Sequence, residues 1–364
     1  MKNLFFSLPL AAVLLASCQK EILKDKPLEA GDASFVTMGS NPALTFRHQD
    51  HYVTSSLPVP AIYVANADGT NPAVVYLNYK KKNGVTTLNR PDHPTWSNNG
   101  QKICFVLNDT DLYTINVSVV NGVPTGTNAL KIANGVSRGG RFFKPAWQPG
   151  DIQIASVFSN GVDAPTIRLI PSSGGTQTTL YKSPTGYTLI SRAFGGASEA
   201  HLTFNGDGSK LAFIEQEVAT GASRLRVLDV ASKAIAQDVA LPLAYYSFLG
   251  IDWSNTQANV LAFSARPDPC KVSTAATAAL YTIDLGASNA APAIIFNDVE
   301  DCSWSPDDTR IAVSRFSQAV LGGSCAGGLR YYKGAVDAID MSTQARIYLY
   351  NYTTSLRYNP DWKK

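Results

Sequence analysis

Residues 301–316 read DCSWSPDDTRIAVSRF. The stretch holds a short run carrying a large aromatic, Trp304, then a turn with proline at its second position, Ser305-Pro306-Asp307-Asp308, then an apolar run over residues 311–314. Strand, tight turn and strand together predict a β-hairpin. The same pattern recurs along the chain, and the aromatic marks each copy. All five tryptophans occupy this position, at Trp96, Trp147, Trp253, Trp304 and Trp362, and Phe204 takes the sixth place. Their contexts are HPTWSNNGQKICFV, KPAWQPGDIQIASV, HLTFNGDGSKLAFI, GIDWSNTQANVLAF, the opening stretch, and NPDWKK at the end. Successive aromatics lie 51, 57, 49, 51 and 58 residues apart, which is room for a four-stranded sheet per copy. Such a period marks a repeat architecture.

The run after each turn is apolar at consecutive positions: Ile103, Cys104, Phe105 and Val106 in one copy, Leu211, Ala212, Phe213 and Ile214 in another. Continuous apolar strands are buried on both faces, as expected of a sheet held between two neighbouring sheets. A third strand follows over residues 112–117, 166–170, 225–230, 280–285 and 336–341. No window after the N-terminal leader shows a long helical period.

Two ends remain open. Near the N-terminus, AIYVA and AVVYL (residues 61–65 and 73–77) flank the turn Asn66-Ala67-Asp68-Gly69, whose Asp-Gly step is hairpin chemistry. This hairpin reads as the outer part of a sheet without a first strand. At the C-terminus, residues 358–362 begin a copy that nothing completes. An unpaired strand in the innermost layer would leave backbone donors and acceptors unsatisfied. Ring closure resolves both ends, with the C-terminal strand serving as strand 1 of the sheet whose outer strands are N-terminal. The expected fold is an all-β, six-bladed β-propeller with one split blade, over residues 41–364.

The chain has 364 residues, 45% of them hydrophobic and 16% charged, which permits a large core and excludes a disordered or collagen-like chain. A formal charge of +3, with no basic run beyond Lys80 to Lys82, makes nucleic acid an unexpected partner.

Residues 1–18 read MKNLFFSLPLAAVLLASC. One lysine, a short apolar run and small residues before a cysteine describe a secretory leader rather than a membrane span. Leu15-Ala16-Ser17-Cys18 resembles the lipobox of bacterial lipoproteins, which implies a signal peptide over residues 1–17 and a diacylglyceryl anchor on Cys18. Residues 18–40 then form a lipidated tether, mixed in charge and without apolar period. The start Cys18-Gln19-Lys20-Glu21 resembles that of many Bacteroidetes lipoproteins. The resemblance implies outer-membrane attachment through lipid alone, with the leaflet open.

The repeat itself resembles that of the TolB-like, or PD40 (WD40-like), β-propellers: Pro-x-Trp-Ser-Pro-Asp-Gly, an apolar strand, an Ile-Tyr-like strand and an Asp turn. Trp304, Ser305, Pro306 and Asp307 carry the likeness best, and Pro94, Trp96, Ser97, Gly100, Tyr281, Ile283 and Asp284 match in other copies. The departures are Phe204, the turn Gln148-Pro149-Gly150-Asp151, and Asp308 where glycine is usual. Relatives on this fold include protein-binding modules, lyases and peptidase caps, so the fold does not settle function.

Strands of a blade alternate in direction, so the 2-to-3 loops and the blade-to-blade connections share one face, and that face carries the excess length. The candidate binding face comprises His93, Arg138, Arg141, Lys144, Arg192, His201, Asp252, Arg266, Asp301, Arg330, Tyr331 and Tyr332. Three positions before the aromatics stand His93, Lys144, His201, Gly250, Asp301 and Asn359, and one position before them Thr95, Ala146, Thr203, Asp252, Ser303 and Asp361. By symmetry both sets ring the channel mouth. Two histidines among carboxylates have metal-ligand chemistry, but only two of six positions are His, on blades that are not adjacent, and channel mouths are commonly polar; no metal or other cofactor is expected. No HExxH, GxSxG or P-loop motif occurs.

After Cys18, Cys104 falls in a buried second strand and is expected as a packed free thiol. Cys270, Cys302 and Cys325 map to the loop-bearing face of two adjacent blades in an exported, oxidising context. Cys270–Cys325 is the expected disulfide, with Cys302 as the rival partner for either. The expected function is a non-catalytic envelope lipoprotein whose loop-bearing face binds a protein or glycan. The alternative is a carbohydrate-active enzyme, a metal-dependent lyase or hydrolase.

Overall fold

Each copy of the repeat folds into one antiparallel blade. In the first, Pro91–Trp96 pairs with Lys102–Leu107, which pairs with Asp111–Val120 and then Val123–Ala133. The computed structural model describes residues 43–50, 60–77, 79–82, 85–192, 198–268, 277–319, 330–350 and 355–364, all within the unit Thr37–Lys364. The leader and tether of residues 1–40, with Cys18, lie outside the described residues, as do Cys270 and Cys325. Among the described residues the only helix is the 3-10 turn Val136–Arg138, and the architecture is a six-bladed β-propeller.

The inner strands of blades 1 to 5 are Pro91–Trp96, Ala146–Trp147, Leu202–Phe204, Tyr246–Trp253 and Glu300–Trp304. Blade 6 closes the ring as expected, with one addition. Its order is Ala73–Tyr76, Ala61–Ala65, Leu44–Asp50 and Ser355–Trp362, so the N-terminal segment supplies three strands. Leu44 pairs with Ala65 on one side and with Trp362 on the other.

The two-sided burial read from the second strands holds. Ile103, Cys104 and Phe105 are fully buried, as are Leu211, Ala212 and Phe213 and, in blade 4, Leu261, Ala262 and Phe263. Among the described residues the core is divided into six clusters, one at each junction between blades. Trp147 packs with Cys104, Val106 and Leu112 of blade 1, Phe204 with Ala155, Val157 and Ile167 of blade 2, and Trp362 with Ala312 and Val336 of blade 5. Each repeat aromatic therefore fills the seam to the preceding blade. At roughly 1.5–3 kcal/mol for each fully buried large apolar side chain, the aromatic contributes to each seam together with the second-strand residues packed around it.

Several stretches read as loops are partly strand. Arg310–Ala319 and Arg330–Asp340 continue pairing out to Ala319 opposite Arg330, so residues 316–319 and 330–334 are strand rather than loop. Between residues 181 and 200, Tyr187–Thr188 joins Lys210–Glu217, and Ser191–Arg192 pairs with Ser198–Glu199. A further hairpin, Tyr79–Lys82 with Val85–Leu88, lies between blades 6 and 1.

Candidate functional site: the axial channel

The inner strand of every blade is a sheet edge facing the channel, and its amide groups on that side have no ladder partner. In four of the six blades the residue before the aromatic solves this problem for the next blade; in blade 1 the Thr95 carbonyl instead accepts the Trp147 indole N–H at 3.1 Å. Thr203 Oγ1 accepts from the Trp253 amide at 3.3 Å, Asp252 Oδ2 from the Trp304 amide at 2.9 Å, Ser303 Oγ from the Trp362 amide at 3.0 Å, and Asp361 Oδ2 from the Trp96 amide at 2.7 Å. The last of these crosses the closure between blades 6 and 1. The girdle needs a side-chain acceptor, so Thr, Asp, Ser and Asp stand in blades 3 to 6; Ala146 of blade 2 has none.

Two residues further out, at the third position before the aromatic, the inner strands bulge. The pairing register shifts between Asp92 and Thr95, between Glu300 and Ser303, and between Phe248 and Gly250. His93, Asp301 and Asn359 have φ of 49°, 55° and 54°, the left-handed region in which His, Asp and Asn are the non-glycine residues found most often. A bulge re-aims the side chain it carries. In blade 4 the position is Gly250, where a Cβ would lie 2.6 Å from the Cys302 nitrogen. At four of the six positions in this row the residue type thus answers first to backbone conformation or crowding. Asp301 also serves closure, accepting from the Asn359 amide at 3.1 Å and from Ser314 Oγ at 2.7 Å.

A third set of junction contacts lies at the opposite face, in the strand 1-to-2 turns. Asp151 and Asp308, four residues after their aromatics, have φ of 60° and 54° where Gly100 and Gly208 have 64° and 73°. Asp308 accepts from Ser254 Oγ at 2.6 Å, the Asn255 amide at 2.9 Å, and the Thr256 amide and Oγ1 at 2.7 and 2.6 Å. Asp151 accepts from the amides of Asn98 and Asn99 at 2.7 and 2.8 Å. The two departures from the repeat's usual glycine are latches onto the preceding blade. Their sequence signal is an Asn two residues after the aromatic of one blade (Asn98, Asn255) and an Asp four residues after that of the next.

Towards the loop-bearing face the channel holds a buried ionic cluster. Although His93 and His201 belong to blades 1 and 3, their rings stand 5.9 Å apart, edge to face, because a narrow axis brings non-adjacent blades together. Glu199 Oε2 lies 3.4 Å from His93 Nε2 and 3.5 Å from His201 Nε2. Burial alone would raise the Glu199 carboxyl, but the two imidazoles outweigh it and hold it at about 2. Burial pushes His201 below the usual imidazole value, against the pull of Glu199. Arg266 is buried rather than presented on the surface, paired with Glu300 at 2.7 Å; burial pushes the Glu300 carboxyl up to about 7 against that pairing. Among the described residues no group of three or more His, Cys, Asp or Glu side chains is arranged to hold a metal ion.

The candidate residues therefore divide. His93, Lys144, His201, Asp252, Arg266 and Asp301 line the channel or its seams. Arg138 is exposed on the 3-10 turn between blades 1 and 2, and Arg141 lies over the Phe143 ring at 5.0 Å. The side chains of Arg192, Arg330, Tyr331 and Tyr332 lie outside the described residues. Cys104 and Cys302 are free, buried thiols. Cys302 sits in the seam between blades 4 and 5, its Sγ 3.5 Å from the Ala262 carbonyl oxygen; it is not on the loop surface, and burial raises its thiol.

Towards the turn face the channel widens into a cavity of about 300 Å³. Trp96, Trp147, Phe204 and Trp253 contribute to its wall, and Lys144, Asp252, Asp361 and Lys364 supply its charge. Lys364 Nζ pairs with Asp252 Oδ1 at 2.7 Å. Burial pushes the Asp361 carboxyl up to about 6, with Lys144 drawing it down.

No protein-family model matches the sequence, and neither does any curated protein. Solved structures do. TolB from Acinetobacter baumannii superposes with a TM-score of 0.57 at 14% identity, over 89% of this chain and 67% of that one. A TolB candidate from Agrobacterium tumefaciens gives 0.52 at 12% identity, over 88% and 98%. An oligogalacturonate lyase in complex with manganese gives 0.41 at 15% identity, over 85% and 74%, a likeness too loose to argue from. The fold is that of a TolB-like β-propeller.

Proposed function

We propose that the chain is a non-catalytic binding propeller, tethered to the outer membrane through a lipidated Cys18, whose loop-bearing face recognises a protein or glycan of the envelope. One observation carries the reading: the channel carboxylates Asp252, Asp301 and Asp361 are bonded to amides of the following blade. Groups held in this way serve ring closure and are poorly placed to act as acids, bases or metal ligands. Long connections with exposed Arg138 beside Arg141 lie on the loop side, and arginine and tyrosine are frequent interface anchors.

The test is recovery of partners from detergent-solubilised envelope by the full chain. Replacing Arg138 and Arg141 by Ala, and separately Arg330, Tyr331 and Tyr332 by Ala, is expected to abolish recovery with the thermal midpoint unchanged. Undiminished recovery from both variants would place recognition elsewhere. Cleavage of an envelope polysaccharide that stops on chelation would favour the metal-dependent lyase or hydrolase instead.

A further inference from the structure

The cavity on the turn face is separate from the loop-bearing surface, and its polar groups can be counted. Asp252 is saturated: Oδ1 accepts from Thr203 Oγ1 at 3.1 Å, the Trp253 amide at 3.0 Å and Lys364 Nζ at 2.7 Å, and Oδ2 accepts from the Trp304 amide at 2.9 Å. Asp361 accepts the Trp96 amide at 2.7 Å and Ser303 Oγ at 3.3 Å. Lys144 differs from both. It is only 6% exposed, it lines the cavity, and among the described residues its ammonium makes no hydrogen bond or ion pair. Its charge acts on the Asp361 and Glu199 carboxylates without touching them, so what the ammonium lacks is a hydrogen-bond acceptor, and a polar group taken out of water without one is costly. The missing group is therefore an acceptor, and for an ammonium the strongest is an anion.

The rest of the wall describes what carries that anion. Trp147, Phe204 and Trp253 with Pro145, Leu202 and Ile251 present aromatic and aliphatic surface, beside the polar side chains of Asn98, Asn205, Ser254 and Asn255. A volume of about 300 Å³ is at the small end of ligand pockets, enough for one ring or a short chain and too small for a folded segment. We propose that this cavity binds a small organic carboxylate with an apolar body, its head on Lys144 and its body among the aromatic rings. The same chemistry is offered by a free acid and by the C-terminal carboxylate of a peptide ending in an apolar residue.

Tryptophan in the wall supplies the readout, as quenching of intrinsic fluorescence in the full chain. The probes are phenylacetate, its neutral amide phenylacetamide, and acetyl-Gly-Gly-Phe as acid and amide. One of the acids is expected to quench saturably with a Kd below about 1 mM, and its amide to bind at least about tenfold more weakly. Lys144→Met should lower the acid's affinity by about ten- to a hundredfold, the range for a hydrogen bond to a charged group, with a cooperative thermal transition whose midpoint is unchanged or raised, since a costly buried charge is removed. Tight binding of phenylacetate assigns a free acid, and binding of the peptide acid alone assigns a chain terminus. Equal binding of acid and amide, undiminished binding by Lys144→Met, or no acid binding more tightly than about 1 mM would each overturn the proposal. The acid-to-amide comparison uses the unaltered protein, so it stands even where the variant fails to fold.

Discussion

Replacing Asp308 by glycine isolates the latch between blades 4 and 5. Glycine suits the turn, since the position has φ of 54°, and it removes only the carboxylate. Four contacts at 2.6–2.9 Å are lost. A hydrogen bond to a charged group contributes about 1.5–3 kcal/mol, but Thr256 is exposed and Asn255 partly so, and water replaces much of what they lose. Ser254 is buried and regains less. The loss is then about 2–4 kcal/mol rather than the sum of four bonds. Relief of left-handed strain returns about 1 kcal/mol, and the more flexible unfolded chain takes back a similar amount, so the net stays at about 2–4 kcal/mol. The pH dependence separates this from a packing effect. Burial tends to raise the Asp308 carboxyl, but the hydroxyls of Ser254 and Thr256 and the two amides outweigh it and hold it below the ordinary value. Its stabilisation is therefore complete above the unfolded value of about 3.9 and is lost as pH falls through the lower folded value. Urea unfolding of both proteins at pH 7 and into acid is the assay. Equal midpoints at neutral pH, or a difference that persists in strong acid, would refute the latch.

Ala146→Ser should supply the acceptor that blade 2 lacks and stabilise by about 1 kcal/mol; an unchanged or lowered urea midpoint would show that the Phe204 amide needs no partner there. Deleting residues 358–364 removes Trp362 and the Asp361 link to Trp96. The tryptophan alone is worth about 3–5 kcal/mol against a typical domain stability of about 5–15, so a cooperative transition at the native temperature would exclude closure by this strand. Cys18→Ser should move the protein from the membrane fraction to the soluble one, and retention in the membrane would end the lipoprotein reading.

Everything that repeats is legible before any contact between blades is known. The aromatic spacing, the apolar second strands and the incomplete first and last copies were enough for a six-bladed ring with a split blade, because hairpin pairing is local and each copy states it again. The residue types at the bulge were also readable in principle, since His93, Asp301, Asn359 and Gly250 all suit its conformation or crowding. The rest depends on which blades touch. The Asp361 carboxylate reaches the Trp96 amide across 265 positions of sequence, and His93 meets His201 only because non-adjacent blades converge on a narrow channel. The third N-terminal strand of blade 6, the burial of Arg266 on Glu300, and a Lys144 ammonium with no hydrogen bond among the described residues have the same origin. A repeat specifies contacts within a blade, whereas ring closure sets the distances between blades and across the axis. Those distances turn a set of apparent ligands at the mouth into the fastening of the ring, and leave one lysine facing a cavity.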